Sequence, residues 1–127
     1  MIDSLFNNSA YVATKKMLDA TALRQEAIAS NLANLEKPNY KRLDVAPSFT
    51  ASLQQAIAAG DPERVAGLQP QLAVDTTAVA RNKDGNTVQL ESELTHLNQN
   101  TLEHSLETQL VSTSLLRLRQ AITGTVV

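Results

Sequence analysis

Residues 28–42 read IASNLANLEKPNYKR, and how this stretch ends a helix governs the reading of the whole chain. Ile28, Leu32 and Leu35 recur at helical spacing, yet Asn31 and Asn34 stand one turn apart beside them, and Lys37-Pro38 stops the pattern. Proline disfavours helix at the residue before it, and asparagine tolerates a left-handed backbone, so Pro38-Asn39 is read as a turn. The two amides admit two readings. Near a fraying helix end they can bond neighbouring carbonyls. Alternatively both bond across helices in an assembly and fix register, as buried polar positions do in coiled coils. Spacing alone leaves both open.

Working outward, the helix that ends here is expected to start at an Asp3 or Ser4 cap and to run to about Leu35. No Gly or Pro interrupts residues 1–37. Its stripe is Tyr11, Thr14, Leu18, Thr21, Gln25, Ile28, Leu32 and Leu35, at the alternating spacing of a coiled-coil seam. Beside it runs a row of mostly small residues (Ala10, Ala13, Met17, Ala20, Arg24, Ala27) that would let a neighbouring helix approach closely.

A second helical pattern runs from about Gln89 to Ile122. Its stripe is Leu90, Leu94, Leu97, Thr101, His104, Thr108, Val111, Leu115, Leu118 and Ile122. A further set (Leu102, Leu106, Leu110, Thr113, Leu116) is centred roughly 150° away at 100° per residue. A helix with two nearly opposite apolar stripes needs partners on both sides, and one intramolecular helix supplies only one. Each helix would be roughly 50 Å long, whereas a compact chain of this size is under about 40 Å across. The expected fold is therefore mainly α: long N- and C-terminal helices (1–36 and 89–127) packed as an antiparallel coiled-coil-like pair around a short irregular middle (37–88). The three parts form one structural unit with exposed apolar flanks.

The middle holds three of the four Gly and all four Pro. Phe49, Leu53 and Ile57 suggest a short helix closed by Gly60-Asp61-Pro62, Gln71-Leu72-Ala73-Val74 a short strand, and Asp84-Gly85-Asn86 a turn.

Composition narrows the function. In 127 residues there are two Phe, two Tyr and no Trp, so the large aromatic contributors to a core are nearly missing. A net charge of −2 gives no general drive towards nucleic acid or anionic membrane. The local basic group Lys37, Lys41 and Arg42 is read as a solvated turn and not a phosphate site. Without Cys there are no disulfides or thiolate metal sites. No apolar run approaches a membrane span, and the first basic residue is Lys15, so no cleaved signal is expected.

No catalytic constellation emerges, and no cofactor, metal or small-molecule substrate is expected. His96 and His104 lie eight residues apart, not at the spacing that puts two imidazoles on one ligand site, and His104 is read as a packing residue. Four scattered glycines build no phosphate loop, and Asp84-Gly85-Asn86 lacks the acidic ladder of a calcium loop. Glu91, Glu93, Glu103 and Glu107 read as solvated or interhelical charges.

Ser30 to Arg42 resembles the N-terminal signature of bacterial flagellar rod and hook proteins, an Asn-x-x-Asn helix end followed by Thr-Pro-Gly-Tyr. Here the turn is Lys37-Pro38-Asn39-Tyr40, with Lys in place of Thr and Asn in place of Gly; Asn is the best non-Gly residue there, so the turn should persist. Asp84-Gly85-Asn86-Thr87-Val88 resembles the segment that opens the C-terminal helix in proximal-rod members, and the short length favours those members. The resemblance implies a non-enzymatic structural subunit of the basal-body rod in the periplasm, exported without a cleaved signal peptide by the flagellar type III apparatus. It implies polymerisation through the terminal helices, torque transmission and continuation of the export channel. The implied partners are other copies, further rod proteins, and the membrane-ring and export-gate proteins. With the stripes, it places the assembly interface at Leu18, Ile28, Asn31, Leu32, Asn34, Leu35, Leu94, Leu97, Leu106, Leu110, Val111, Leu115, Leu118 and Ile122. The competing reading is a soluble helical adaptor or chaperone that grips one partner helix; a small enzyme would have to use His96 and His104.

Overall fold

A computed structural model describes residues 8–124. In chain order the elements are α1 (Ser9–Ala33), β1 (Leu43–Val45), α2 (Pro47–Ala58), α3 (Pro62–Gly67), β2 (Leu72–Val74) and α4 (Leu90–Thr123). The chain is mainly helical, its two long helices packed together around a short middle segment.

Asn8 caps α1, its side chain accepting from the Ala10 N–H at 2.9 Å. The Asp3 or Ser4 cap expected from the sequence lies outside the described residues. At the other end Asn34 is the C-cap, its backbone N–H reaching the Ser30 and Asn31 carbonyls and its side chain donating to Ser30 O at 2.8 Å. α4 begins one residue after the expected Gln89 with Glu91 and Glu93 in its first turn, where carboxylates suit the helix dipole, and ends at Gly124 with φ +64°.

The middle is more ordered than its composition suggests. α2 covers the expected Phe49, Leu53 and Ile57, and Asp61 caps the short α3 by accepting from the Arg64 N–H. The expected strand at 71–74 forms as β2 and pairs antiparallel with β1, Leu43 opposite Val74 and Val45 opposite Leu72. The core lies between this segment and α1: Val45, Phe49, Leu53, Ala56 and Val65 pack on Ala13 and Ala20. The row of small residues on α1 therefore does admit a close neighbour, but that neighbour is the chain's own middle segment.

The helix pair differs from the sequence reading. On α4 the deeply buried positions are Glu93, Asn100 and Glu107, seven residues apart and all polar. The row Leu97, Val111 and Leu118 is half-buried as expected, whereas Leu90, Leu94, Leu115 and Ile122, read as the same seam, are exposed. The intramolecular face is thus turned by roughly 50° about the helix axis from the apolar stripe. Polar bonds hold it. Asn100 Nδ2 donates to Thr21 O at 2.9 Å and to Gln25 Oε1 at 3.2 Å, and Thr21 Oγ1 donates to Glu107 Oε2 at 2.8 Å. On α1 the expected stripe holds better, with Thr21 and Ile28 buried and Leu18, Leu32 and Leu35 half-buried.

Candidate functional site

The two signature segments, about fifty residues apart in sequence, meet at the C-terminal end of α1. A helix end leaves carbonyls without intrahelical partners. Asn86 supplies donors: its Nδ2 lies 2.9 Å from Asn34 O, 3.0 Å from Leu35 O and 2.8 Å from Lys37 O, and its Oδ1 accepts from the Val88 N–H at 2.8 Å. Asn39 N donates to Asp84 O at 2.8 Å and Thr87 N to Tyr40 O at 3.0 Å, so the Lys37–Arg42 and Asp84–Thr87 backbones run side by side. Arg42 N closes the pairing on Thr87 Oγ1 at 2.8 Å.

Asn39 takes φ +59°, the left-handed turn the sequence suggested. Its side chain occupies the space a side chain at residue 85 would need: a Cβ added to Gly85 would stand 2.5 Å from Asn39 Oδ1. Gly85 itself has φ +75°. The Asn that replaces the common Gly at 39 is therefore accommodated by a Gly across the turn.

Asn31 is fully buried and bonds within the chain. Its Oδ1 accepts from Leu43 N at 2.9 Å while its Nδ2 donates to Leu43 O at 2.9 Å and Glu93 Oε2 at 3.2 Å. The side-chain amide presents the same donor and acceptor as a peptide group, so it pairs with the start of β1 as a strand residue would. Asn34 takes the local helix-end bond, whereas Asn31 bonds across to α4 inside its own chain and not across an assembly. Tyr40 joins them, its hydroxyl 3.0 Å from Ser30 Oγ and donating to Asn31 Oδ1 at 3.4 Å.

Arg42 overturns its reading as a solvated residue. It is 4% exposed. Its Nε donates to the fully buried Glu93, and its Nη1 to Asp44 at 2.9 Å and Asp75 at 2.8 Å. Arg24 extends the network from Asp44 (3.1 Å) to Glu103 (3.2 Å). Lys37 and Lys41 stay exposed, Lys41 Nζ reaching Gly85 O at 3.1 Å. Burial opposes the charge on Arg42, but Glu93 and Asp44 outweigh it and raise its pKa. Burial likewise opposes ionisation of Asp44, yet Arg42, the Val45 N–H and Arg24 hold its carboxyl below the usual range. Asp75 is held low against burial by the Thr77 hydroxyl and N–H and by Arg42. Glu107 goes the other way: burial pushes it up and Glu103 adds to this, against Thr21, His104 and Arg24.

The sequence reading leaves Glu93 a solvated or interhelical charge and does not bring it together with Arg42 and Asp75, because the three come from separate elements with no local spacing to betray them. One signal was present: Glu93, Asn100 and Glu107 recur every seven residues on α4, which marks a polar heptad row.

This is structural chemistry. Every charged group in the network is held by another charged group or an amide, and His104 Nδ1 sits 3.1 Å from Thr21 Oγ1 in the helix pair. Among the described residues no cluster of three or more His, Asp or Glu could hold a metal ion, and no helix is long and apolar enough to cross a membrane. Large apolar side chains line the outside of α4, Leu102 at 72% and Leu106 at 62% exposure among them.

A paired-terminal-helix subunit, locked where its two signature segments meet and apolar on its flanks, is the class this geometry defines. No protein-family model matches the chain. It is 33% identical over 113 residues to the flagellar basal body rod protein FlgB of Borrelia hermsii, covering 75% of this chain and 82% of that protein. It is 28% identical over 111 residues to FlgB of Borreliella burgdorferi, covering 73% and 80%. With FlgB of Salmonella typhimurium it shares 26% identity over 141 aligned positions, covering 98% and 99%. The chain belongs to the FlgB family of flagellar basal body rod proteins.

Proposed function

We propose that this rod subunit polymerises through its terminal helices in the proximal rod, helping to transmit torque and to continue the export channel. One observation carries the reading: the helix pair is closed by polar groups, which leaves the apolar rows of α4 unspent. Leu94, Leu102, Leu106, Leu110, Leu115, Leu116 and Ile122 are exposed on a helix roughly 50 Å long. Contiguous exposed apolar surface on a soluble chain marks an interaction site. Neighbouring copies and further rod proteins would cover it, with membrane-ring and export-gate proteins at the base of the rod. The address is the periplasmic part of the basal body, reached through the flagellar type III apparatus. The interface comprises the exposed leucines of α4 with the half-buried Leu18, Leu32, Leu35, Leu97, Val111 and Leu118; Ile28 and Asn31 support it from inside.

Leu102→Asp tests this. The side chain is exposed in the isolated chain, so thermal unfolding should barely move, while a charge buried at a subunit contact is costly. The variant should fold yet be missing from isolated basal bodies and fail to restore motility. Normal incorporation would count against the reading. A purified chain that reaches a fixed one-to-one stoichiometry with a single partner helix would favour the adaptor instead.

A further inference from the structure

Outside the signature site, an apolar groove opens between α1, α2 and the middle of α4. Its volume is about 480 Å³. Met17, Phe49, Leu53, Ile57, Leu106 and Leu110 line it, with Arg24, Glu103 and Glu107 along one side. Glu103 is paired with Arg24, whereas the buried Glu107 is bonded to the neutral hydroxyl of Thr21. Arg24 is shared between Glu103 and Asp44. The groove is apolar, and among the described residues no ion pair reaches Glu107, although Arg24 and His104 lie near enough to act on its charge.

The far end of α4 has the opposite character. Beyond Glu107 the sequence contains no Asp or Glu, and Arg117 and Arg119 are its charged side chains. Leu115, Arg119 and Ile122 follow at spacings of four and three, which sets them on one helix face. Leu115 and Ile122 are exposed, and among the described residues neither Arg117 nor Arg119 forms an ion pair.

We propose that this apolar–basic–apolar face of one copy seats in the groove of the next copy, with Leu115 and Ile122 among its apolar side chains and Arg119 against Glu107. A guanidinium is the donor best matched to a buried carboxylate that no ion pair reaches. A second copy is the occupant because the chain carries both halves of the match. The α4 residues of the groove (103–110) and the seating face (115–122) do not overlap, so one copy can give and receive at once. Contact between unlike surfaces builds an open assembly, not a closed dimer. The inference rests on the rod-subunit reading and adds which surface meets which.

The absence of native cysteine makes the test direct. Leu106→Cys and Ile122→Cys are combined in the full chain, expressed in cells lacking the native copy, and basal bodies are isolated under mild oxidation. The two positions lie about 24 Å apart along one helix, too far for a disulfide within a chain. A ladder of dimers, trimers and larger species that collapses on reduction is expected, with no cross-link in either single variant. A second pair, Ile57→Cys with Ile122→Cys, reaches the groove from α2 and should give the same ladder. Incorporation at the unaltered level without cross-links from either pair overturns the inference, as does a dimer from a single variant, which signals like surfaces meeting. Absence of the unaltered chain from basal bodies overturns the rod-subunit reading itself, and this inference with it.

Discussion

The side chain of Asn31 on α1 donates to Glu93 on α4 at 3.2 Å, and neither residue is exposed to solvent. That bond ties the end of one long helix to the start of the other, and the same two side chains also hold β1 and Arg42. The terminal-helix pair and the middle segment are therefore fastened at one point, through polar groups that water cannot reach.

Asn31→Ala should lower stability by about 2–4 kcal/mol, since it strands the Leu43 peptide groups and one oxygen of Glu93 without partners. Asn31→Asp should be worse, because it places a second carboxylate beside Glu93. Urea denaturation followed by circular dichroism measures both; a change below about 0.5 kcal/mol, the scale of an ordinary surface substitution, would refute the role given to this amide.

Breaking the buried ion pair has a larger expected effect. Arg42→Met leaves Glu93 as an uncompensated buried charge and removes a partner from Asp44 and Asp75, at a cost of about 3–5 kcal/mol. Arg42→Met combined with Glu93→Gln should recover part of that loss, so the double-mutant cycle should show strong coupling.

Gly85→Ala meets Asn39 Oδ1 and also forces an alanine to φ +75°. A cost of about 1–3 kcal/mol is expected. Adding Asn39→Gly should relieve the collision and leave the backbone strain, a partial rescue visible in thermal melts. Full additivity of the two changes would mean that the side chains do not meet.

Stability should also fall in acid. Asp44 and Asp75 have folded-state pKa values below their unfolded ones, so their contribution is fully present above the unfolded value of about 3.9 and is lost as pH drops through the depressed folded values. Glu107, held high, has the opposite sign: its neutral form is favoured in the folded chain, so it gains as pH falls through its raised value. Asp44→Asn should flatten the loss below about pH 4, and Glu107→Gln should flatten the gain at milder acidity. Unfolding midpoints measured across pH for the two variants separate these contributions.

The long helices, their ends and the turn at Pro38-Asn39 were legible because they depend on local chemistry: periodicity over many turns, a proline, an asparagine that accepts φ +59°. The strand at 72–74 was legible for the same reason. Its partner Leu43–Val45 was not, since three residues around a central Asp44 carry no period. The apolar stripe of α4 was correctly seen and incorrectly placed. Periodicity shows that a stripe exists, and not whether its own chain or another covers it.

By itself the sequence determined a mainly helical chain with paired terminal helices, a signature turn and more apolar helix surface than one chain can bury. Only the tertiary structure decided which side of α4 faces α1, that Asn31 bonds within the chain, and that Arg42 is buried among Glu93, Asp44 and Asp75. The reason is the range of the forces. Helix and turn preferences act over a few residues, whereas a buried charge exists only once three or four distant segments have come together to pair it.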